Sequence, residues 1–213
     1  MKRVLDQLSH PGVVAIVRLD DYSAAVEMVR ALYEGGIRAV EFTYTNPRAG
    51  NAISSVVDVM GDAVAVGAGT VLDPETARAA MLQGASFVVT PTTNIETIRM
   101  CQRYDVPTVI GAFTPTEMLT AWEGGATFVK LFPASAVGPT YIKDVHGPLP
   151  QIPIIPTGGV SLENCAEFIK AGAAGVAIGS NLVHAKTVTD KDWSLLTERA
   201  RALVDAVTQA RSI

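Results

Sequence analysis

The chain has 213 residues, 48% of them hydrophobic and 18% charged, enough for one domain with a large core. A formal charge of −4 without any basic run argues against a nucleic-acid binder, and no apolar stretch reaches the length of a membrane span. Met1-Lys2-Arg3-Val4-Leu5-Asp6 does not read as a secretion signal, and Cys101 and Cys165 fall in predicted helices, so a reducing cytoplasm is the expected setting.

Strand one is predicted over Val13 to Arg18, strand two over Ile37 to Thr43 and strand three over Val64 to Gly67. Strand four follows at Ser86 to Thr90, strand five at Val106 to Ile110 and strand six at Thr127 to Leu131. Strand seven covers Ile152 to Pro156, weakened by Pro153, and strand eight Gly175 to Ile178. These runs are rich in Val, Ile and Phe, as strands buried on both faces of a parallel sheet are. A helical segment ending in Gly precedes several of them, at Gly35, Gly84, Gly124 and Gly172, at intervals of roughly 40–50 residues, about two strand-helix units.

Helix starts are marked between the strands. Asp73-Pro74-Glu75 sets a cap, a first-turn proline and an early acid in order, and Thr114-Pro115-Thr116-Glu117 reads as a capping box. Ser161 is expected to cap the next helix. Ala25, Val26, Val29, Leu32 and Tyr33 trace one helical face, as do Trp193, Leu196, Ala200, Leu203, Val204 and Val207, and both stripes read as core packing. Eight alternating units predict an α/β fold, a (β/α)₈ TIM barrel, as one compact domain over 1–213 with N-terminal and C-terminal helices. An open doubly wound sheet is the rival, disfavoured because no Gly-x-Gly-x-x-Gly follows strand one.

In such a barrel the site lies at the C-terminal ends of the strands. There the chain collects Arg18, Glu41, Thr43, Thr70, Thr90-Pro91, Lys130, Thr157-Gly158-Gly159 and Gly179-Ser180. Lys130 stands in the apolar run Ala126-Thr127-Phe128-Val129-Lys130-Leu131-Phe132. An amine buried there loses solvation and turns neutral, which makes it a nucleophile for a ketone and a Schiff-base former. An exposed lysine at a strand tip is the bland alternative. Glu41 is the only carboxylate in its strand's apolar run and suits a general acid and base, or else an ion pair with Lys130. Arg18 can fork onto a substrate carboxylate or form a surface salt bridge. Thr70 can add a hydroxyl to the same carboxylate or cap the helix that follows. Phe132 can shield an imine from water or simply fill core. Gly158, Gly159, Gly179 and Ser180 lie where barrels bind phosphate, after strands seven and eight. His10, His146 and His184 lack metal-ligand spacing, so no metal and no cofactor is expected.

Val-Glu-Phe-Thr at 40–43, Gly-Ala-Gly-Thr-Val-Leu at 67–72, Thr-Pro at 90–91, Val-Lys-Leu-Phe-Pro-Ala at 129–134, Pro-Thr-Gly-Gly-Val at 156–160 and Gly-Ser at 179–180 stand in one order. With them the chain resembles the family of 2-keto-3-deoxy-6-phosphogluconate and 4-hydroxy-2-oxoglutarate aldolases, from Val13 to about Val183. The resemblance implies a class I aldolase, a homotrimer, with Lys130 as the Schiff-base lysine and Glu41 as the general acid/base. It also implies that Thr70, Pro91 and Phe132 form the pyruvate pocket, and that Gly158, Gly159, Gly179 and Ser180 cradle phosphate. One position departs from the pattern. Phosphogluconate-type members carry an Arg four residues after the Glu, where this chain has Thr45. Members acting on the 6-phosphogalactonate epimer lack that Arg and place one at the end of strand one, as Arg18 is here. Ser135 to Lys143 also looks like that branch.

The expected reaction is reversible cleavage of a phosphorylated 2-keto-3-deoxy sugar acid to pyruvate and glyceraldehyde 3-phosphate. Alternatives are a 4-hydroxy-2-oxoglutarate or unphosphorylated keto-acid aldolase, a non-covalent phosphosugar isomerase or epimerase, and a non-catalytic phosphosugar sensor. The expected partner is a small-molecule keto acid, with no nucleic acid and no membrane.

Overall fold

The short Val-, Ile- and Ala-rich runs become eight parallel strands in the structure, a computed structural model that describes residues 1–212. The strands are β1 (Val13–Val17), β2 (Ala39–Thr43), β3 (Ala65–Gly69), β4 (Phe87–Val89), β5 (Thr108–Ala112), β6 (Phe128–Leu131), β7 (Ile154–Pro156) and β8 (Val176–Ile178). Helix α1 (Lys2–Ser9) precedes them. Helices α2 (Ala25–Glu34), α3 (Ala49–Met60), α4 (Pro74–Leu82), α5 (Ile95–Arg103), α6 (Pro115–Glu123), α7 (Thr140–His146) and α8 (Cys165–Lys170) each follow a strand. Helices α9 (Ala185–Thr189) and α10 (Trp193–Arg211) follow β8.

Each strand pairs with its sequence neighbour, and β1 also pairs with β8, with Val13 opposite Val176. The remaining seam is drawn together by a bridge between Thr157 and Ala177 and by Ala174 N–H donating to Ile154 O at 2.8 Å. The ring is therefore the expected (β/α)₈ barrel.

Because side chains alternate along a strand, two cores result. The outer one packs helix stripes such as Val29, Leu32, Leu196, Ala200 and Val207 against Val40, Phe42 and Val66. The inner one fills the barrel with Val14, Ile16, Phe87, Val109, Phe128 and Ile155, and α1 plugs its floor with Val4 and Leu8. Packed below and lined with polar groups above, the barrel leaves only its C-terminal mouth for chemistry.

Several boundaries differ from expectation for local reasons. β7 begins at Ile154, after Pro153, which has no N–H to give the ladder. β5 likewise begins just past Pro107 and reaches two residues further, through Ala112. β3 runs through Gly69, two residues past the expected end at Gly67, because Gly69 still pairs with Thr43. Ser161 is not the cap of α8. Asn164 takes the N-cap position, its Oδ1 accepting from Ser161 N–H at 2.9 Å, and Ser161 O accepts from Cys165 N–H.

Candidate active site

Period-two alternation places Glu41 with Ala39 and Lys130 with Phe128 on the inner face of the barrel. Glu41 lies level with Ile16 and Gly67, and Lys130 level with Gly111 and Ile155. Both are nearly dry, with 2% of Glu41 and 5% of Lys130 exposed. The exposed strand-tip lysine is thereby excluded. Burial pushes the Glu41 carboxyl up from its ordinary value, opposed by the charges of Lys130 and Arg18. Burial pushes the Lys130 ammonium down, opposed by Glu41 and reinforced by Arg18.

The two groups feel each other's charge but form no contact ion pair within 4.0 Å, and Glu41 Oε2 is buried without a hydrogen-bond partner. A locked salt bridge would hold both groups charged. This spacing instead lets each approach its neutral form and leaves a carboxyl oxygen free for substrate. Lys130 Nζ lies 5.1 Å from the centroid of the Phe132 ring, so Phe132 covers the amine as well as packing.

Arg18, Phe132, Gly158, Gly159, Gly179 and Ser180 line one cleft of about 200 Å³, brought together from the ends of β1, β6, β7 and β8. Gly158 and Gly159 are both left-handed, at φ 88° and 77°, a pair of conformations that side chains resist. A Cβ on Gly159 would lie 2.6 Å from Ser135 Cβ. The Asn164 side chain donates to Gly159 O and the Asn181 side chain to Val160 O, both at 2.9 Å. With those carbonyls engaged, the bend presents an exposed glycine and Ser180 to the cleft. Arg18 is exposed at its rim, and its charge reaches Glu41 and Lys130.

A neighbouring cleft of about 350 Å³ shares Phe132 and is lined by Pro91, Gly111, Phe113 and Glu117. Pro91 is held there by buried Thr90, whose Oγ1 donates to Thr92 O at 2.6 Å and accepts from Gly111 N–H at 3.0 Å. Thr70 is half-buried directly after β3 at φ 57° and lines neither cleft. It does not cap the following helix, because Asp73 does so, accepting from Thr76 N–H. Thr45 is exposed, its hydroxyl 3.0 Å from that of buried Thr43.

Thr157 is a lining residue that the choice of glycines passed over. Its hydroxyl is buried, without a partner, in the same cleft as Arg18. Alternation from Ile155 was the signal that could have pointed it inward.

Parallel strands closed around a dry lysine and carboxyl are the layout of a barrel lyase that works through an imine. A family model described as "KDPG and KHG aldolase" matches residues 4–199. The 2-dehydro-3-deoxy-6-phosphogalactonate aldolase of Escherichia coli K12 is 38% identical over 199 residues, covering 93% of this chain and 95% of that protein. A solved structure described as native KDPGal superposes with a TM-score of 0.88 at 36% identity, covering 95% of this chain and 97% of that one. The KDPG aldolase of Legionella pneumophila, solved with pyruvate captured as a covalent carbinolamine intermediate, gives a TM-score of 0.86 at 28% identity over 92% of this chain and 96% of its own. The chain belongs to the KDPG and KHG aldolase family.

Proposed function

We propose that the protein is a class I aldolase that cleaves a phosphorylated 2-keto-3-deoxy sugar acid, of the 6-phosphogalactonate type, to pyruvate and glyceraldehyde 3-phosphate. The observation that carries this is the burial of Lys130 and Glu41 together at the barrel mouth, each drawn toward its neutral form.

Neutral Lys130 Nζ adds to the C2 carbonyl, and protonated Glu41, acting through an ordered water, gives a proton to the carbinolamine oxygen, which leaves as water. Glu41 is then a carboxylate and takes the proton of the C4 hydroxyl. The C3–C4 bond breaks, its electron pair passes into the iminium to give an enamine, and the aldehyde departs. Glu41, protonated again, gives that proton to the enamine at C3, and addition of water to the resulting iminium releases pyruvate and the free amine and returns a proton to Glu41.

Thr70 and Pro91 hold the pyruvate end and Phe132 keeps water from the imine. Gly158, Gly159, Gly179 and Ser180 hold the phosphate, in a cleft that Arg18 makes positive. Arg18 serves the carboxylate end as well, since its charge reaches both Lys130 and Glu41. Thr45 contributes a hydroxyl where phosphogluconate-type members have an Arg, and with Arg18 this favours the galactonate epimer. The assembly is a homotrimer of 22.4 kDa chains. A reducing cytoplasm suits its two buried free thiols, Cys101 and Cys165.

Borohydride added with pyruvate is expected to fix a stable adduct on Lys130, read by mass spectrometry, and Lys130→Ala is expected to abolish it. An undiminished adduct in Lys130→Ala would end the proposal, and no adduct on the wild type would favour a non-covalent isomerase or a sensor. Turnover by the same preparation on the galactonate and gluconate epimers, with and without phosphate, reads the substrate, and the phosphorylated galactonate type should be fastest.

A further inference from the structure

Among the inward-facing residues of β3, Ala65, Gly67 and Gly69 rise toward the mouth, and Gly69 is the last before the turn at Thr70. Gly69 has ordinary strand conformation, outside the left-handed region, so its backbone does not require glycine. Space does. A Cβ built on Gly69 would lie 2.8 Å from Glu41 Oε1, 2.9 Å from its Cδ and 3.4 Å from its Cγ. These contacts are to one side-chain end, and that end belongs to the group assigned the proton transfers. Gly67 below it differs, because its Cβ would strike the ring of fully buried Phe87 at 2.4 Å and so disturb packing rather than chemistry.

We infer that Gly69 is a positioning residue for the aldol reaction, its missing Cβ forming the slot that seats the Glu41 carboxyl at the barrel mouth. The inference rests on the role of Glu41 proposed above. A methyl at 69 meets the far end of a flexible side chain, so the backbone need not move and the carboxyl yields instead. Its free oxygen, Oε2, has no hydrogen bond to hold it in place against that push. Misplacing a catalytic group by about 1 Å can cost on the order of 100-fold in rate.

Gly69→Ala is therefore expected to lower kcat by about 10- to 100-fold with KM little changed, and to shift the limb of the kcat/KM pH profile that Glu41 controls. In a Glu41→Gln background the same methyl should cost less than about twofold further, because the proton carrier is already gone. An equal loss in both backgrounds, or an unmoved pH profile, would overturn the inference. If Gly69→Ala does not fold, Glu41→Ala/Gly69→Ala decides the matter. Removing the carboxyl should restore the melting transition, and a double variant that stays unfolded would show that the collision is not with Glu41. Pyruvate trapping on wild-type Lys130 reports separately on the aldolase reading. If it fails, that reading fails, and the stability comparison still tests the slot.

Discussion

Glu41 and Lys130 sit in the least hospitable place for an ionisable group, the interior of a packed barrel, and both are displaced toward neutrality by the same loss of water. The sign of the consequence differs from that of a salt-bridged carboxylate. A carboxyl whose folded-state pKa is raised binds its proton more tightly folded than unfolded. The stability it contributes is present below the unfolded value and is lost as pH rises through the folded one. Above the ordinary carboxyl value, keeping this carboxyl buried is thus a burden on the fold. Glu41→Gln is expected to raise the melting temperature at pH 7 by roughly 2–4 °C, the shift made by about 1 kcal/mol in a domain of this size, while lowering kcat by about 100- to 10,000-fold. The gain should vanish near pH 4, below the ordinary carboxyl value of 4.5, where Glu41 is protonated folded and unfolded. Thermal melts across that range check it, and a loss of stability at pH 7 would mean that the attraction of Lys130 outweighs burial. At this scale the sequence was readable for Lys130 and Glu41, because a charge inside an apolar run is conspicuous. It was unreadable for Gly69, and at Thr157 only the inward direction was legible, from its alternation with Ile155. What matters at Gly69 is a 2.8 Å clearance to a residue on another strand, and at Thr157 a hydroxyl left without a partner.

Helix starts were legible because capping is local chemistry written in adjacent residues. In α6, Thr114 Oγ1 accepts from Glu117 N–H at 3.2 Å, and Glu117 Oε2 accepts from the N–H groups of Thr114 at 2.8 Å and Phe113 at 2.9 Å. Those bonds hold the Glu117 carboxyl below its ordinary value. Thr114→Ala removes the cap and is expected to lower stability by about 1 kcal/mol, read as a fall of roughly 2–4 °C in melting temperature, with pyruvate trapping on Lys130 unchanged. A melt unmoved by the substitution would show that the first turn of α6 is held by its packing alone. Ser161 failed as a cap although it has a suitable side chain, because three turn residues intervene before α8 and Asn164 occupies the position instead. Strand ends were also harder to place than strands. Pro107 and Pro153 delay β5 and β7, and the sheet recruits Gly69 by pairing it with Thr43, a contact between distant segments.

At the scale of the whole molecule, a barrel must close, and nothing in a linear pattern says how the first and last strands are held. Here the C-terminal helix does part of this. Arg211, at the end of α10, donates from Nη1 to Ser9 O at 2.7 Å and from the other guanidinium nitrogen to Ala174 O, reaching residues that precede β1 and β8. Gly12 leaves the space, since a Cβ there would collide with the guanidinium. The amphipathic stripe of α10 was evident from Leu196, Ala200, Leu203 and Val207, but not this polar clasp, whose partner lies 202 residues away in the chain. Both bonds lie at the surface, where water can partly replace the lost donor, so removing the clasp is expected to cost about 0.5–1.5 kcal/mol. The clasp is at the floor of the barrel and the lysine at its mouth, so stability and chemistry should separate. Arg211→Ala is expected to melt roughly 1–6 °C lower, while the rate of borohydride trapping per folded molecule stays at the wild-type value. Loss of trapping in a variant shown to be folded would mean that closure of the β1–β8 seam is transmitted along the strands to Arg18 and the phosphate cleft. An unchanged melt would mean that the paired strands Val13–Ala15 and Val176–Ile178 hold the seam without help from the helix.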